Sequence, residues 1–516
     1  MFYCYQNNQL RTADSVPKLL VQLPLKPKRN ARYLKQILLD GFFAGEDCLH
    51  ETLWQGVYRV PLGYRLTPKP DAQGRCVERA WSLQDDDEVA RLTLAQAQEA
   101  LREHLLQAVE RCLPKSGAIA VELSGGLDSS SILCQAETLR RNTPGRYPPI
   151  LGVSYTSPAG SPSDETAFLP EIEREYGITI ERTPVGPPGF LDMARDLMWH
   201  TEGPLLDETW KTADTFFKTT HRLGTRVVLT GHWADQFLFN RGYLIDLVYR
   251  LAWGKVHAHL KEFGRWLTDV DPACFRRQFI WDLARYHVPD RLVPLLRKLR
   301  PRREPPWYTA AFRKRARRPA WKQQTGKRGP FPTAHARSLY EEATSGHHAL
   351  SMEWDNKAGA MYGLEMGFPF LDRDLLSFFI GIPGEIQAWR GVPKAMLRQA
   401  MRGVLPVPIL ERRWKADFTD LANEGMARDY SGVVSCLQPD AMAVECGYLR
   451  TDRLRSELHR LKDRIRGPDC AVTWNLMNLL GLEFFLQVFF AKRTEQREGP
   501  RALGGGPGAT ATGGAR

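Results

Sequence analysis

The stretch Ala118-Ile-Ala-Val-Glu-Leu-Ser-Gly-Gly-Leu-Asp-Ser-Ser130 decides how this chain is to be read. Its first six residues form a short, mostly apolar run of the length expected for a buried strand. Gly125 and Gly126 follow, and a helical pattern then runs through Ile132, Leu133 and Ala136. A strand that turns through Gly-Gly into a helix presents unpaired first-turn amides, which together make an anion-binding concavity. The glycines carry no Cβ, so the backbone can approach a ligand closely. Ser124, Ser129 and Ser130 add hydroxyl donors. Asp128 places a carboxylate at the same spot, which is favourable only beside a cation, and Mg²⁺ on phosphate oxygens fits. No Gly-Lys-Ser/Thr is present, so this is not the Walker phosphate loop. A plain helix-capping turn is the simpler reading, but it leaves Asp128 and the serines without a purpose.

Working outward, residues 91–113 have apolar positions at helical spacing and strong helix formers. Downstream, strands are predicted at 150–155, 178–182 and 226–230, with helices at about 190–200 and 208–223 between them. Ser163 is expected to cap a further helix, with acids in its first turn. Strands that alternate with helices imply a parallel sheet covered on both faces. Residues 1–80 read as short strands, a helix over 32–39 and turns. Within them, 56–66 looks like a strand pair broken by a Pro/Gly turn. From about 241 onward the pattern is helical, interrupted by a basic, Pro-rich stretch at 291–333. A last apolar helix is expected over 472–492, and the Gly-rich tail 496–516 is expected to be disordered.

Bulk properties narrow the function classes. The 516 residues carry 43% hydrophobic and 25% charged residues, ordinary for a globular protein. The net charge of +12 is concentrated in one place. Residues 291–328 hold 14 Lys/Arg against the single acid Glu304, so the rest of the chain is close to neutral. Such a charge distribution makes no case for nucleic acid as a partner, and a solvated insert explains the basic run as well as an acidic peptide partner does. Nine scattered cysteines with no Cys-x-x-Cys pair exclude a disulfide framework and a thiolate zinc site. No signal-peptide or membrane-spanning pattern is read, so a cytoplasmic location is expected.

The block Val121-Glu-Leu-Ser-Gly-Gly-Leu-Asp-Ser-Ser130 resembles the pyrophosphatase loop of the asparagine synthetase family, which also holds β-lactam synthetases and lasso-peptide cyclases. Three more blocks follow in family order. Leu229-Thr-Gly-His-Trp-Ala-Asp-Gln-Phe-Leu238 is similar to S-G-E-G-A-D-E-L-F. Tyr362-Gly-Leu-Glu-Met-Gly-Phe-Pro-Phe-Leu-Asp372 is similar to G-L-E-x-R-x-P-F-L-D. Pro393-Lys-Ala-Met-Leu-Arg-Gln-Ala400 is similar to t-K-x-x-L-R-x-A. The resemblance implies an α/β fold with a five-stranded parallel sheet and a large helical C-terminal part, organised as an ATP-binding ligase domain over 90–495 after a truncated, inactive glutaminase-like remnant over 1–80.

The resemblance also implies roles. ATP and Mg²⁺ are the expected cofactors, and a carboxylate is adenylated before an amine displaces AMP. The loop 124–130 would hold the phosphates, with Asp128 and Asp235, expected at the end of the fourth strand, binding the metal. Leu123, Val153, Thr230 and Gly231 match positions lining the nucleoside pocket, although ordinary strand ends would look the same. Lys394 would meet pyrophosphate or the charge that develops in the amide-forming step. Glu365 matches the acid near the attacking amine, and His232, standing where relatives have Glu or Tyr, would pair with it as a base. The plainer readings are a structural carboxylate and a loop-bonding histidine.

The departures shape the expected substrate. The chain starts Met-Phe rather than Met-Cys, and Cys4 falls in what resembles a late strand, so glutamine hydrolysis is not expected. Gln236 stands for the family's Glu and Gly367 for its Arg, which weakens the case for aspartate. The amine is then expected from the substrate itself, as in lasso-peptide macrolactam closure, with a precursor peptide and its processing protein as partners. Pro305-Pro-Trp-Tyr308 resembles cyclase-like members. Asparagine synthesis is the alternative, and a tRNA-modifying enzyme sharing the loop is the alternative of another class.

Overall fold

The strand predicted at 118–123 forms with those bounds, and the rest of the sheet assembles around it. A computed structural model describes residues 1–40, 49–72, 74–83, 88–204, 210–267, 271–287, 305–314, 331, 333–467 and 470–491. At the start, β1 (Phe2–Gln6) pairs antiparallel with β2 (Gln9–Ala13) and with β3 (Tyr58–Arg59). β4 (Tyr64–Leu66) pairs with β5 (Val77–Arg79). The strand pair expected within 56–66 is therefore not a pair. Its two halves exist, but each finds its partner elsewhere, because Pro61 and Gly63 turn the chain into a different two-stranded ribbon.

The long helix α1 (Leu94–Cys112) opens with a capping box in which Thr93 and Gln96 satisfy each other's amides. Losing such a cap costs about 1 kcal/mol. Ala97, Leu101, Leu105, Ala108 and Val109 form its buried face at i, i+4 and i+3 spacing. Next come β6 (Ala118–Leu123), α2 (Leu127–Asn142), β7 (Ile150–Thr156), β8 (Ile180–Pro184) and β9 (Thr225–Leu229). The short helix α3 (Ala234–Leu238) and the longer α4 (Gly346–Ala360) lead to a fifth strand, β10 (Glu365–Gly367). The order is β10-β9-β6-β7-β8, and every pairing is parallel. The region after 241 is thus not wholly helical, since β10 closes one edge of the sheet.

Alternation along β6 shows that both faces are covered. Ile119, Val121 and Leu123 join one core cluster, whereas Ala120 joins the other with Val153 and Val228. Ser163 does not cap a helix as expected. Its hydroxyl lies by Ser161 Oγ, and Asp164 instead accepts from the Thr166 amide and hydroxyl ahead of a 3₁₀ turn.

Two more helices bear on the site, α5 (Ala395–Ala400) and the C-terminal α6 (Ala471–Phe490). α6 is long and apolar enough to cross a membrane by composition, yet 67% of its most apolar window is buried inside the protein. Its Glu483, fully buried, accepts from the amides of Met442 and Ala443, so the helix belongs to the core. The same cluster takes in Phe2, Cys4, Val16 and Trp54, so the N-terminal segment shares a core with the sheet and α6. Trp307 and Tyr308 are also buried there. Most of the basic stretch 291–333 and the tail 496–516 lie outside the described residues.

Candidate active site

Strand order reverses at β6: the chain proceeds to β7 and β8 on one side, then returns to β9 and β10 on the other. Ligands of open α/β sheets bind at the carboxyl ends of the strands flanking such a switch point. Residues 124–130 follow β6 and residues 230–235 follow β9, so the two predicted acidic positions arrive at one crevice.

The loop is built as the glycines imply. Gly125 adopts φ +66°, a left-handed turn that favours glycine. Gly126 caps α2 with no side-chain hydrogen bond, which leaves the first-turn amides open to a ligand. Ser129 Oγ accepts from the Ser124 amide and lies 3.1 Å from Ser124 Oγ. Ser130 is fully buried and its hydroxyl has no hydrogen-bond partner. Leu123, the last residue of β6, and Val153, in the middle of β7, are fully buried in opposite core clusters. Thr230 donates its amide to Gly367 O and accepts from the His232 amide through Oγ1. Gly231 presses on the loop itself: a Cβ there would lie 2.8 Å from Ser129 N and 3.2 Å from Asp128 C.

Asp235 lies in the first turn of α3 rather than at the strand end, five residues or so of turn having been needed to bring it over the loop. It converges with Asp128 on a single point. Lys394 Nζ bonds Asp128 Oδ2 and Asp235 Oδ1 at once, and Lys415 Nζ bonds Asp235 Oδ2. Lys394 is only 6% exposed, so the shared ammonium is sheltered, whereas Lys415 at the other side of Asp235 is exposed. Burial raises the Asp128 carboxyl above its usual range, and its share of Lys394 does not offset that. Burial also works to raise Asp235, but there two ammonium groups prevail and hold the carboxyl below its usual range. Burial alone would lower the Lys394 ammonium, and the two carboxylates reverse the sign.

The crevice fits a metal-bound nucleotide. Asp128 Oδ1 is buried with no hydrogen-bond partner among the described residues, an acceptor with unused capacity. Among the described residues no group of three or more His, Cys, Asp or Glu side chains stands ready to hold a metal. Two carboxylates plus substrate phosphates are nonetheless the usual Mg²⁺ arrangement. When bound, the ion would neutralise charge on the phosphate oxygens.

Further groups surround the loop that the sequence reading did not single out. Arg412 stacks between the rings of Phe168 and Trp414, 4.9 and 4.2 Å from their centroids, and pairs with the buried Glu165. Its Nη1 is buried without a partner and would lie 3.7 Å from a Cβ on Gly126, a donor spare at the edge of the anion concavity. Arg398 donates to the carbonyls of Pro393, Leu410 and Arg412. Burial pushes its pKa down to about 10. It thereby ties the turn carrying Lys394 to the segment carrying Arg412 and Lys415. The run Arg412-Arg-Trp-Lys415 was visible as a basic patch with an aromatic, but nothing local tells such a patch from a solvated surface.

Two non-glycine residues in the site have left-handed backbones, Lys394 at φ +55° and Trp233 at φ +75°. Conformations of this kind persist only where packing over-determines them. Trp233 is stacked on the buried His348 ring at 3.8 Å, and the Lys394 ammonium sits 4.8 Å above the Phe239 ring.

The expected pairing of His232 with Glu365 is not formed. Glu365 is exposed at the beginning of β10, in register with Val227, two residues before the strand end that faces the crevice. His232 Nδ1 instead lies 3.2 Å from Asp355 Oδ2, on α4. The physical reason is the register of β10: it is Gly367, not Glu365, that stands beside Leu229.

With this geometry in place, comparison with known proteins gives one decisive match: the family described as asparagine synthase covers residues 100–487. The chain belongs to the asparagine synthase family. That membership supports an ATP-dependent, amide-forming ligase chemistry at the loop, and places all four sequence blocks within the family's matched region. Curated relatives are more distant. The amidase chry2 of Gibberella zeae is 26% identical over 246 residues, which is 46% of this chain and 35% of the relative. The amidase chyE of Penicillium rubens is 26% identical over 196 residues, 36% of this chain and 29% of the relative. The matched stretch therefore spans about a third of each relative's length.

Proposed function

We propose that this asparagine synthase family member is an ATP-dependent ligase that adenylates a carboxylate, releases pyrophosphate and transfers the acyl group to an amine of a peptide, closing a macrolactam. One observation carries the reading. Asp128 and Asp235, in the first turns of the helices that follow two adjacent strands, converge on the sheltered ammonium of Lys394. The arrangement is suited to phosphate oxygens bearing a cation, with first-turn amides on one side and a lysine on the other.

Each group has work within this reading. The amides of 125 and 127–129 and Arg412 Nη1 bind the departing pyrophosphate. Lys394 balances its charge while the carboxylate oxygen attacks the α-phosphorus. Lys415 stands at the Asp235 side, where the acyl phosphate and the amine would meet. His232 takes a proton from the amine. The nucleoside lies against Leu123, Val153, Thr230 and Gly231. Gln236 has a buried Oε1 without a partner, and Gly367 offers no guanidinium. Both features support a carboxylate other than free aspartate.

The test is pyrophosphate exchange into ATP, run with aspartate and with peptides bearing acidic side chains, followed by mass analysis for loss of water from the peptide. Exchange with a peptide and a dehydrated product supports the proposal. Strong exchange with aspartate alone, with asparagine formed from ammonia, replaces it by asparagine synthesis. Asp128→Ala should abolish AMP formation, and a fully active Asp128→Ala enzyme would refute the metal assignment.

A further inference from the structure

α4 carries three charged residues that look in two directions. Glu353 and Lys357, one turn apart, face the N-terminal strands. Lys357 Nζ reaches Glu353 Oε1 at 2.7 Å and Glu202 Oε2 at 2.8 Å, and Arg59 Nε lies 3.4 Å from Glu353 Oε2. Asp355 lies between them in sequence, and two residues along a helix turn the side chain by roughly 200°. It therefore projects away from that network, toward the crevice, where it meets His232 Nδ1. Asp355 is largely sheltered, at 14% exposure, while His232 is half exposed at 50%. The ion pairs on the far side fix the rotation of the helix, so the carboxylate is held in place by contacts outside the site.

A carboxylate accepts and does not donate, so the nitrogen facing Asp355 carries the proton and the lone pair resides on Nε2. The backbone fixes the imidazole from the other end, since the His232 amide bonds Thr230 Oγ1 at 3.3 Å. We propose that Asp355 is the positioning residue that sets the tautomer of His232, and that the pair forms the acceptor subsite for a primary amine arriving as its ammonium ion. This rests on the ligase reading given above. Nε2 removes one proton from R–NH₃⁺, and the freed nitrogen lone pair attacks the acyl carbon of the acyl phosphate. The carbon–oxygen bond to AMP then breaks, AMP leaves with that electron pair, and the second nitrogen proton passes to water. The imidazolium next to Asp355 afterwards returns its proton to solvent. No oxidant or further reactant is required.

The experiment has two arms on the full-length protein. In the first, [¹⁵N]histidine-labelled protein is observed by NMR, with the His232 signal assigned through His232→Gln. The wild type should show the Nδ1-protonated tautomer. Asp355→Asn presents an amide N–H to Nδ1 and should convert the ring to the Nε2-protonated form. In the second arm, a carboxylate substrate that supports pyrophosphate exchange is offered methylamine or hydroxylamine. Methylamine arrives protonated and needs a base, whereas hydroxylamine is already neutral and does not. Asp355→Asn should lower methylamide formation by about 100-fold, the scale of general-base catalysis. Hydroxamate formation should fall far less than methylamide formation, and Asp355→Glu should recover part of the methylamide rate. An unchanged tautomer in Asp355→Asn, or an equal loss with both nucleophiles, would overturn the proposal. Absence of exchange in the wild type with every carboxylate would sink the ligase reading instead, and the NMR arm would still decide the pairing.

Discussion

Gly231→Ala probes how the nucleotide loop is braced. The added methyl would sit 2.8 Å from Ser129 N, 3.1 Å from Ser129 Cα and 3.2 Å from Asp128 C, all of them backbone atoms. Unstrained contacts of this kind need about 3.5 Å, so the loop must retreat from β9 by roughly 0.7 Å. No flexible side chain is available to yield, and the displaced segment carries Asp128. Misplacing reacting groups by 1 Å costs on the order of 100-fold in rate, so a loss of about 10- to 100-fold in pyrophosphate exchange is expected. Overpacking of this sort also costs about 1–3 kcal/mol of stability. The assays are exchange rate, ATP affinity by calorimetry and thermal unfolding. Gly254→Ala is the control, because a Cβ there meets nothing within 4 Å, on the exposed first turn of the helix Trp253–Trp266. That variant should keep its exchange rate and gain up to about 1 kcal/mol. A Gly231→Ala protein that exchanges and binds like the wild type would refute the bracing argument, since the backbone contacts would then not hold the loop.

Lys394→Met leaves Asp128 and Asp235 facing each other without their shared ammonium, and breaking a buried charge pair costs about 3–5 kcal/mol. The melting temperature should fall, and Mg²⁺ should restore it more in this variant than in the wild type. Equal Mg²⁺ responses in the two proteins would count against a shared cation position. A second outcome concerns acid stability. Burial works to raise the Glu353 carboxyl, but Arg59 and Lys357 outweigh it and bring the pKa from its ordinary 4.5 down to about 2. The folded state then binds fewer protons than the unfolded one between these values, so the stabilisation is present above pH 4.5 and is lost as pH falls toward 2. Its size is of the order of 3 kcal/mol. Denaturant melts of wild type and Glu353→Gln should differ at pH 6 and converge near pH 2, and a pH-independent difference would contradict the assignment.

Much of the sheet was legible because its strands are short apolar runs punctuated by glycine and helical segments, and 118–123 was read with its observed bounds. β10 was harder to see, since three residues, Glu365-Met-Gly367, carry no periodicity of their own. It exists because β9 offers an open edge. The 56–66 stretch failed for a related reason: local alternation identified strands, but partner choice is a long-range matter. Among the candidate site residues, the loop, Asp128, Asp235 and Lys394 could be singled out because each sits in a distinctive block, and the fold brings them together. Glu165, Asp355 and Arg412 were missed because an isolated acid or arginine has the same local appearance in a site as on a surface.

Composition and order along the chain were sufficient to determine a parallel α/β sheet, a Gly-Gly turn from its first strand into a helix and two acids set in distinctive blocks. These follow from local chemistry, since backbone amides, missing Cβ atoms and strand–helix alternation act over a few residues. Which groups would meet across the crevice was decided only by tertiary structure. The register of β10 puts Gly367 rather than Glu365 at the strand end, and the rotation of α4 aims Asp355 at His232. Both depend on contacts between residues more than a hundred positions apart, where the free energy lies in packing and charge pairing that no local pattern records.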